Sequence, residues 1–378
     1  MNRRMFRVRA RCSDLPWSSA ARWFYRLLMV SCVLVSPPTA AQWAVRVAAG
    51  AESDSNPRRE VESDAPSDAA ARAFVMTQGR WSSSASGWGA WAANASVAAG
   101  ARALGREQSE DSLNSDVRAT LMQTHSAAWL PYLEVGFRDR TERESFRDYR
   151  RLTGALGMLA RLAAADLRAD VGWSTLVFKP DRDLDWRGLA ASVSADWLVS
   201  RTLSVRFQGG VQQRQLSSAA VVLGPSGVTQ SSAGSRVDTT WTAGAGLDWD
   251  TTAALLGARW QVARNASKSY GRGFVRHSLL MEATTQPVGQ LLVRGGANLQ
   301  WSRFDDLVLV DETFEIDDEN RTQAMLVLQH PLGRSGLMLE QRTTLYADVF
   351  RGDESAAFRR WLVYGGLAWE WRSRGRGE

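Results

Sequence analysis

From Gln42 onward the chain alternates apolar and polar residues with period two, and this limits its fold more than any other feature. In 287–303, Leu291, Val293, Gly295, Ala297, Leu299 and Trp301 take one side while Arg294, Gly296, Asn298, Gln300 and Ser302 take the other. Successive side chains of a strand point to opposite faces, so one face suits lipid and the other suits water. The split recurs in 187–199, where Leu189, Val193 and Trp197 oppose Gly188, Ser192 and Asp196, and in 202–215, where Leu203, Val205 and Phe207 oppose Ser204, Arg206 and Gln208. No convincing helical face interrupts it. No apolar run of the mature chain approaches the ~20 residues that a spanning helix requires. A membrane protein of this composition has to be a barrel.

The first 41 residues read as a secretory leader, which leaves 42–378 as one domain. Arg3, Arg4, Arg7, Arg9, Arg11, Arg22 and Arg26 form a basic region, Leu27 to Val35 an apolar core, and Thr39-Ala40-Ala41 a small-residue cleavage site before Gln42. The basic region is long enough that Met5 or a later Met is an alternative start. A lipoprotein reading with Cys32 acylated is the weaker one, because apolar residues continue past the cysteine. The leader also carries the whole of the chain's net charge of +6: from Gln42 on, basic and acidic residues number 39 each. The basic balance therefore gives no argument for a nucleic-acid partner. Both cysteines, Cys12 and Cys32, lie in the leader, so disulfides and thiolate metal sites are not expected in the exported protein.

A soluble β-sandwich alternates as well, and connection lengths separate the two. Candidate strands fall at 42–53, 70–82, 87–104, 113–124, 127–139, 150–163, 166–179, 187–199, 202–216, 237–249, 252–264, 273–286, 289–303, 321–330, 335–349 and 359–371. Between them long gaps such as 54–69, 217–236, 265–272 and 304–320 alternate with tight turns such as Asp250-Thr251 and Pro287-Val288. An all-β, antiparallel transmembrane barrel of about 16 strands is expected, with long outside loops, short periplasmic turns and periplasmic termini. Fourteen strands is the alternative, because 42–53, 70–82 and 321–330 are individually weak. Of 17 tryptophans, Trp129, Trp186, Trp241, Trp249, Trp260, Trp301, Trp361 and Trp371 lie near expected strand ends, where interfacial girdles form.

The chain ends on Tyr364, Gly366, Trp369 and Trp371, with aromatic residues alternating through the last strand. This resembles the C-terminal assembly signal of bacterial outer-membrane β-barrels, although Arg372 to Glu378 follow the final tryptophan. The resemblance implies insertion by the barrel assembly machinery. Near the start, Gly50 leads to Asp54-Ser55-Asn56 before Pro57, turn formers that end a strand. That run is similar to the entrance of the first outside loop in porin-like barrels and in barrels of the surface-lipoprotein assembly modulator type. The modulator type normally carries a helical-repeat domain before its barrel, which has no counterpart in this sequence.

Little in the sequence points to covalent chemistry. The three histidines are His125, His277 and His330. A serine hydrolase needs Ser and His on one face, whereas His277 and Ser278 are adjacent in a strand and His125-Ser126 falls at a turn. No phosphate loop, CxxC, HExxH or EF-hand pattern occurs, so no catalytic residue, cofactor or metal ligand is assigned. The loop 304–320 holds eight carboxylates, Asp305, Asp306, Asp311, Glu312, Glu315, Asp317, Asp318 and Glu319. They lack the fixed spacing of a calcium site. Bridging of lipopolysaccharide by divalent cations, or an inward fold favouring cations, are its alternative readings beside a solvated loop.

Strand parity gives an expected lumen lining of Arg46, Arg118, Glu134, Arg138, Arg168, Asp170, Arg206, Asp248, Glu282, Arg294, Glu340 and Arg342. Both signs are present. They suit either a porin-like constriction or ion pairs that fill a closed interior. About sixteen strands enclose water, which favours a porin-like channel for passive or weakly selective passage of small polar solutes. The alternative is a non-conducting structural, assembly or export-partner barrel that binds protein or polysaccharide through its outside loops. Outer-membrane lipid and lipopolysaccharide are the expected surroundings, and a homo-oligomer is compatible with either reading.

Overall fold

The computed structural model describes residues 42–55, 70–82, 90–104, 112–125, 128–142, 148–179, 181–306, 322–333, 335–348 and 358–373. The leader 1–41 and the boundary after it lie outside the described residues. Sixteen strands follow one another: β1 Gln42–Asp54, β2 Ala70–Ser82, β3 Trp91–Leu104, β4 Ser112–Gln123, β5 Trp129–Glu142, β6 Tyr149–Arg161, β7 Ala165–Phe178 and β8 Trp186–Leu198 form the first half. The second half is β9 Leu203–Leu223, β10 Thr229–Asp250, β11 Ala254–Ser267, β12 Phe274–Val288, β13 Leu291–Phe304, β14 Thr322–Pro331, β15 Leu337–Asp348 and β16 Phe358–Arg372. Among the described residues the count is sixteen, and the three strands with the weakest sequence signal, β1, β2 and β14, all form.

Each strand pairs antiparallel with its sequence neighbours, and β1 closes on β16 from Ala44↔Arg372 to Asp54↔Leu362. Closure removes the edges that an open sheet would leave unpaired in lipid. The two ends of the barrel differ. Connections 162–164, 251–253 and 289–290 turn tightly at one end, the last through Gly289 at φ +53°. The spans 55–69, 305–321 and 349–357 join strands at the other. Both described chain ends sit at the short-turn end, where Trp43 N–H donates to Ser373 Oγ at 2.7 Å.

One expected loop is largely strand. In place of a gap at 217–236, β9 and β10 extend as a hairpin whose turn, 224–228, carries Gly227 at φ +74°. Its Ser- and Gly-rich sequence reads as loop, yet Ala219 to Leu223 still supply a strand. The ladder shifts register between Ser231 and Val237, which is a bulge. Similarly, β11 runs to Ser267, three residues beyond its expected end.

The inner wall between β15, β16, β1 and β2 is packed by an aromatic ring laid over glycines. Tyr364 is 2% exposed and meets Phe74 edge-on at 5.2 Å between centroids. A Cβ on Gly50 would lie 2.2 Å from Gly365 O, 2.6 Å from Gly366 Cα and 2.9 Å from Tyr364 Cε2. Two of those atoms belong to backbone and cannot step aside. Across the barrel Tyr132 lies over Gly157 in the same way, with Cζ at 2.4 Å from a Cβ built there. Gly50→Val is expected to lose about 1–3 kcal/mol through overpacking. Gly295→Val, where an added Cβ meets nothing within 4 Å, should leave stability unchanged. Urea titration of the heat-modifiable folded band in detergent reads both variants.

Candidate channel lumen

Exposure assigns the faces. Leu156, Val171 and Leu189 are at least 62% exposed in mid-strand, and they share parity with Val135, Val193, Phe207, Leu339 and Leu367, which are also exposed. Such a continuous apolar exterior is what a bilayer covers. The opposite parity is polar and surrounds the interior. Trp43, Trp91, Trp129, Trp197, Trp249, Trp369 and Trp371 ring the exterior near the short-turn end, as an interfacial girdle does. Basic exterior residues cluster near the other end: Arg150, Arg187, Arg264, Arg303 and Arg359. Trp186 differs from expectation, because it faces inward and lines the lumen.

The residues expected to line the lumen all fall on the inner parity, and most are held in pairs. Glu340, only 1% exposed, accepts from Arg46, from Arg342 at 2.9 Å and from Gln329 at 2.7 Å. Arg342 also lies over the Tyr364 ring at 5.5 Å. Arg168 reaches Asp170 at 3.3 Å and Glu134 at 3.6 Å, and Arg118 stands 4.0 Å from Glu134. Tyr132 Oη donates to Asp170 at 3.0 Å and Ser192 Oγ donates to it at 2.9 Å. Arg138 pairs with Asp116 at 2.9 Å and Arg206 with Asp196. Arg259, absent from the expected set, bridges Asp248 at 3.5 Å and Glu282 at 3.9 Å. Arg294 is exposed on the same inner parity of β13. Except for the Arg138–Asp116 pair, these groups lie in the half of the lumen nearer the short turns, so the expected lining is mainly one mixed-sign, paired zone.

Nearer the long loops the interior opens into a cavity of about 580 Å³. Six arginines line it: Arg138, Arg151, Arg214, Arg236, Arg272 and Arg276. Trp186 lies between two of them, with the Arg214 guanidinium 4.7 Å and that of Arg151 5.8 Å from its ring. Gln212 accepts from Arg214 Nε at 3.0 Å, and Ser302 accepts from Arg276 Nε at 3.0 Å. Only Arg138 of the six was expected. Parity alone could have found Arg151, Arg214 and Arg276, whereas Arg236 and Arg272 were read as loop.

The remaining candidates are dispersed. His277 faces outward, stacked between Trp260 at 5.9 Å and Trp301 at 5.6 Å, and His330 shares the outward parity of β14. His125 follows β4 at a connection. Of the acidic loop only Asp305 and Asp306 are described. Asp305 accepts from Arg264 at 2.7 Å, and this hydrogen bond holds its carboxyl below the usual range. Asp306 accepts from Gly271 N–H at 3.3 Å. The other six carboxylates lie outside the described residues. So do Asn56 and Pro57, while Asp54 ends β1 in an ion pair with Arg360, and Ser55 bonds the Trp361 backbone. At the closing strand, Tyr364 and Gly366 face inward and Trp369 and Trp371 outward.

Buried and exposed pairs should respond differently to truncation. Glu340→Ala leaves Arg46, Arg342 and Gln329 without their shared acceptor and is expected to cost about 1–3 kcal/mol in a urea titration. Arg206→Ala removes a pair whose side chains are 35% and 40% exposed, and its cost should stay within about 1 kcal/mol.

No family model matches the chain, and no curated protein matches it. Solved structures do. The deltaS2 mutant of the TodX monoaromatic hydrocarbon channel is similar at TM-score 0.42 and 8% identity, covering 89% of this chain and 91% of that one. OmpT, an outer membrane protein of Vibrio cholerae, is similar at TM-score 0.44 and 8% identity, with 89% and 99% covered. A triple mutant of the Rhodopseudomonas blastica porin is similar at TM-score 0.37 and 10% identity, with 88% and 100% covered. Likeness this distant leaves the assignment to the chain's own register and surfaces. A closed antiparallel register, an apolar exterior with its tryptophan girdle and a polar interior give the protein the build of a transmembrane β-barrel.

Proposed function

We propose that the barrel is a porin-like channel through which small polar solutes cross the outer membrane passively or with weak selectivity. The observation that carries this is the polar inner face around a cavity of about 580 Å³ within sixteen strands, a strand number that encloses an aqueous path. No covalent step belongs to this reading. None of the three histidines stands on the inner face of a strand, which a lumenal hydrolase would require.

Orientation follows from the two ends. The short turns and both termini face the periplasm, and the long loops face outward. Exterior arginines near the long loops meet the phosphate-bearing headgroups of lipopolysaccharide, as basic residues meet anionic lipid. Residues 1–41 serve as the leader. Tyr364, Gly366, Trp369 and Trp371 form the strand that the barrel assembly machinery recognises. Self-association into a homo-oligomer fits an exterior apolar surface of this extent.

Refolded into a planar bilayer, the chain from Gln42 onward should give steady openings of porin size. A barrel that migrates as folded in detergent but passes no current would overturn the channel reading in favour of a structural or partner-binding barrel.

A further inference from the structure

We propose that the outward wall around Gln341 on β15 is where the barrel docks on a second copy of itself, the carboxamide of Gln341 bonding to Gln341 of the partner subunit across a two-fold axis. This rests on the self-association reading above, for which it names the face and the contact.

Depth comes first. On β16 the outward Trp361 and Trp369 are 50% and 41% exposed, one toward the long loops and the other toward the short turns. Tryptophans so placed mark the two interfaces of a bilayer, and Gly365, midway between them, lies near its centre. Gln341 pairs with Gly365 across the ladder. On its own strand it has the outward Leu337 and Leu339 on the short-turn side and Thr343 and Leu345 on the long-loop side. Its side chain is exposed, shares the parity of Leu339, and has no hydrogen-bond partner among the described residues. The outward Gln213 and Gln215 differ, because they stand nearer the long loops, opposite Leu189 and Arg187, where headgroups and water supply partners.

A carboxamide at the centre of the bilayer needs a polar neighbour. Its donors and its acceptor face hydrocarbon, which answers neither, and polar groups left so are costly. A second barrel answers both. A two-fold axis along the membrane normal carries every residue to its own height, so Gln341 meets Gln341 of the partner subunit at equal depth. The group is also its own complement: each amide nitrogen donates to the carbonyl oxygen of the other side chain.

The neighbouring wall admits the approach. From Gln341 the ladder leads through Gly365, Ala51 and Ala73 on three successive strands, none with an outward side chain longer than a methyl group. A Cβ built on Gly365 meets nothing within 4 Å, so the surface is open there. Within lipid, apolar burial hardly favours protein over hydrocarbon tails, and close backbone approach with polar bonds across the contact is what holds two proteins together. Leu326, Leu339, Val363 and Leu367, 42–52% exposed, surround the amide and seal the contact from water.

From Gln42 onward the chain has no cysteine, so an introduced thiol is the only one. In phosphatidylcholine vesicles oxidised with copper phenanthroline, the folded Gln341→Cys barrel should run as a disulfide-linked pair. Leu189→Cys, at an outward position 69% exposed on β8 across the barrel, should stay single. Energy transfer between end-labelled barrels over a lipid dilution series reads the affinity. Gln341→Leu should need severalfold more protein per lipid than wild type for half-association, while Gln341→Asn, which keeps a carboxamide, should stay closer to wild type. All these variants should keep heat-modifiable migration, because the altered side chains face lipid. Association that Gln341→Leu leaves unchanged, or cross-linking no better at 341 than at 189, would overturn the face and leave self-association standing. Barrels that stay single at every density overturn both, and the channel reading, read by current, is tested apart from either.

Discussion

Everything else in this molecule depends on the hydrogen-bonded seam between β1 and β16. In hydrocarbon an unpaired backbone N–H or C=O has no water to turn to, so a sixteen-stranded sheet is admissible only when its first and last strands pair. Eleven residue pairs join here, from Ala44↔Arg372 to Asp54↔Leu362. Side chains secure each end of the seam. Near the long loops Arg360 pairs with Asp54, both buried, and near the short turns the backbone of Trp43 exchanges bonds with Ser373. The close approach of Gly50 to Gly366, under the Tyr364 ring, lies between them. The residues that resemble an assembly signal have a structural duty of their own: the inward Tyr364 and Gly366 fill the wall at the seam, and Trp369 and Trp371 face outward beside it.

Charge inside the barrel is layered along its axis. Paired groups occupy the short-turn half, where Glu340 and Asp170 each gather several donors. Such networks stiffen a wall and leave little net field. The long-loop half differs in make-up, with six arginines and Asp238 among the described residues that line its cavity.

Much of the fold was legible because the physics that builds a barrel is periodic. Alternation fixes the faces, connection length fixes the two ends, and together they gave sixteen strands even where β1, β2 and β14 are individually weak. Parity also placed the twelve lumenal candidates on the inner face. What it could not give was their height and partners, which depend on register. Arg259 bridging Asp248 and Glu282 is a matter of which residues oppose each other across three strands, and no single strand contains it. Two cavity arginines were hidden for a different reason. Serine and glycine around 217–236 have the composition of a loop, and only pairing with a partner strand overrides that local preference. Arg236 goes with the loop 217–236 and Arg272 with the gap 265–272, of which 268–272 is indeed a connection.

The same hairpin also holds one wall of the cavity in place. Beyond residues 216 and 237, β9 and β10 pair only with each other, and their ladder shifts register between Ser231 and Ser235 and back again by Val237. There the hairpin meets the connection between β11 and β12: Tyr270 N–H donates to Val221 O at 2.7 Å, and Val221 N–H donates to Ser269 Oγ at 3.0 Å. Asn265 Nδ2 then donates to Arg272 O at 2.8 Å, and Asn265 Oδ1 accepts from Thr240 on β10 at 2.8 Å. The backbone carrying Arg272 is thereby tied to the two strands carrying Arg214 and Arg236. These neutral bonds fix the connection that carries Arg272 against hairpin and strand without drawing on the charges of the lining.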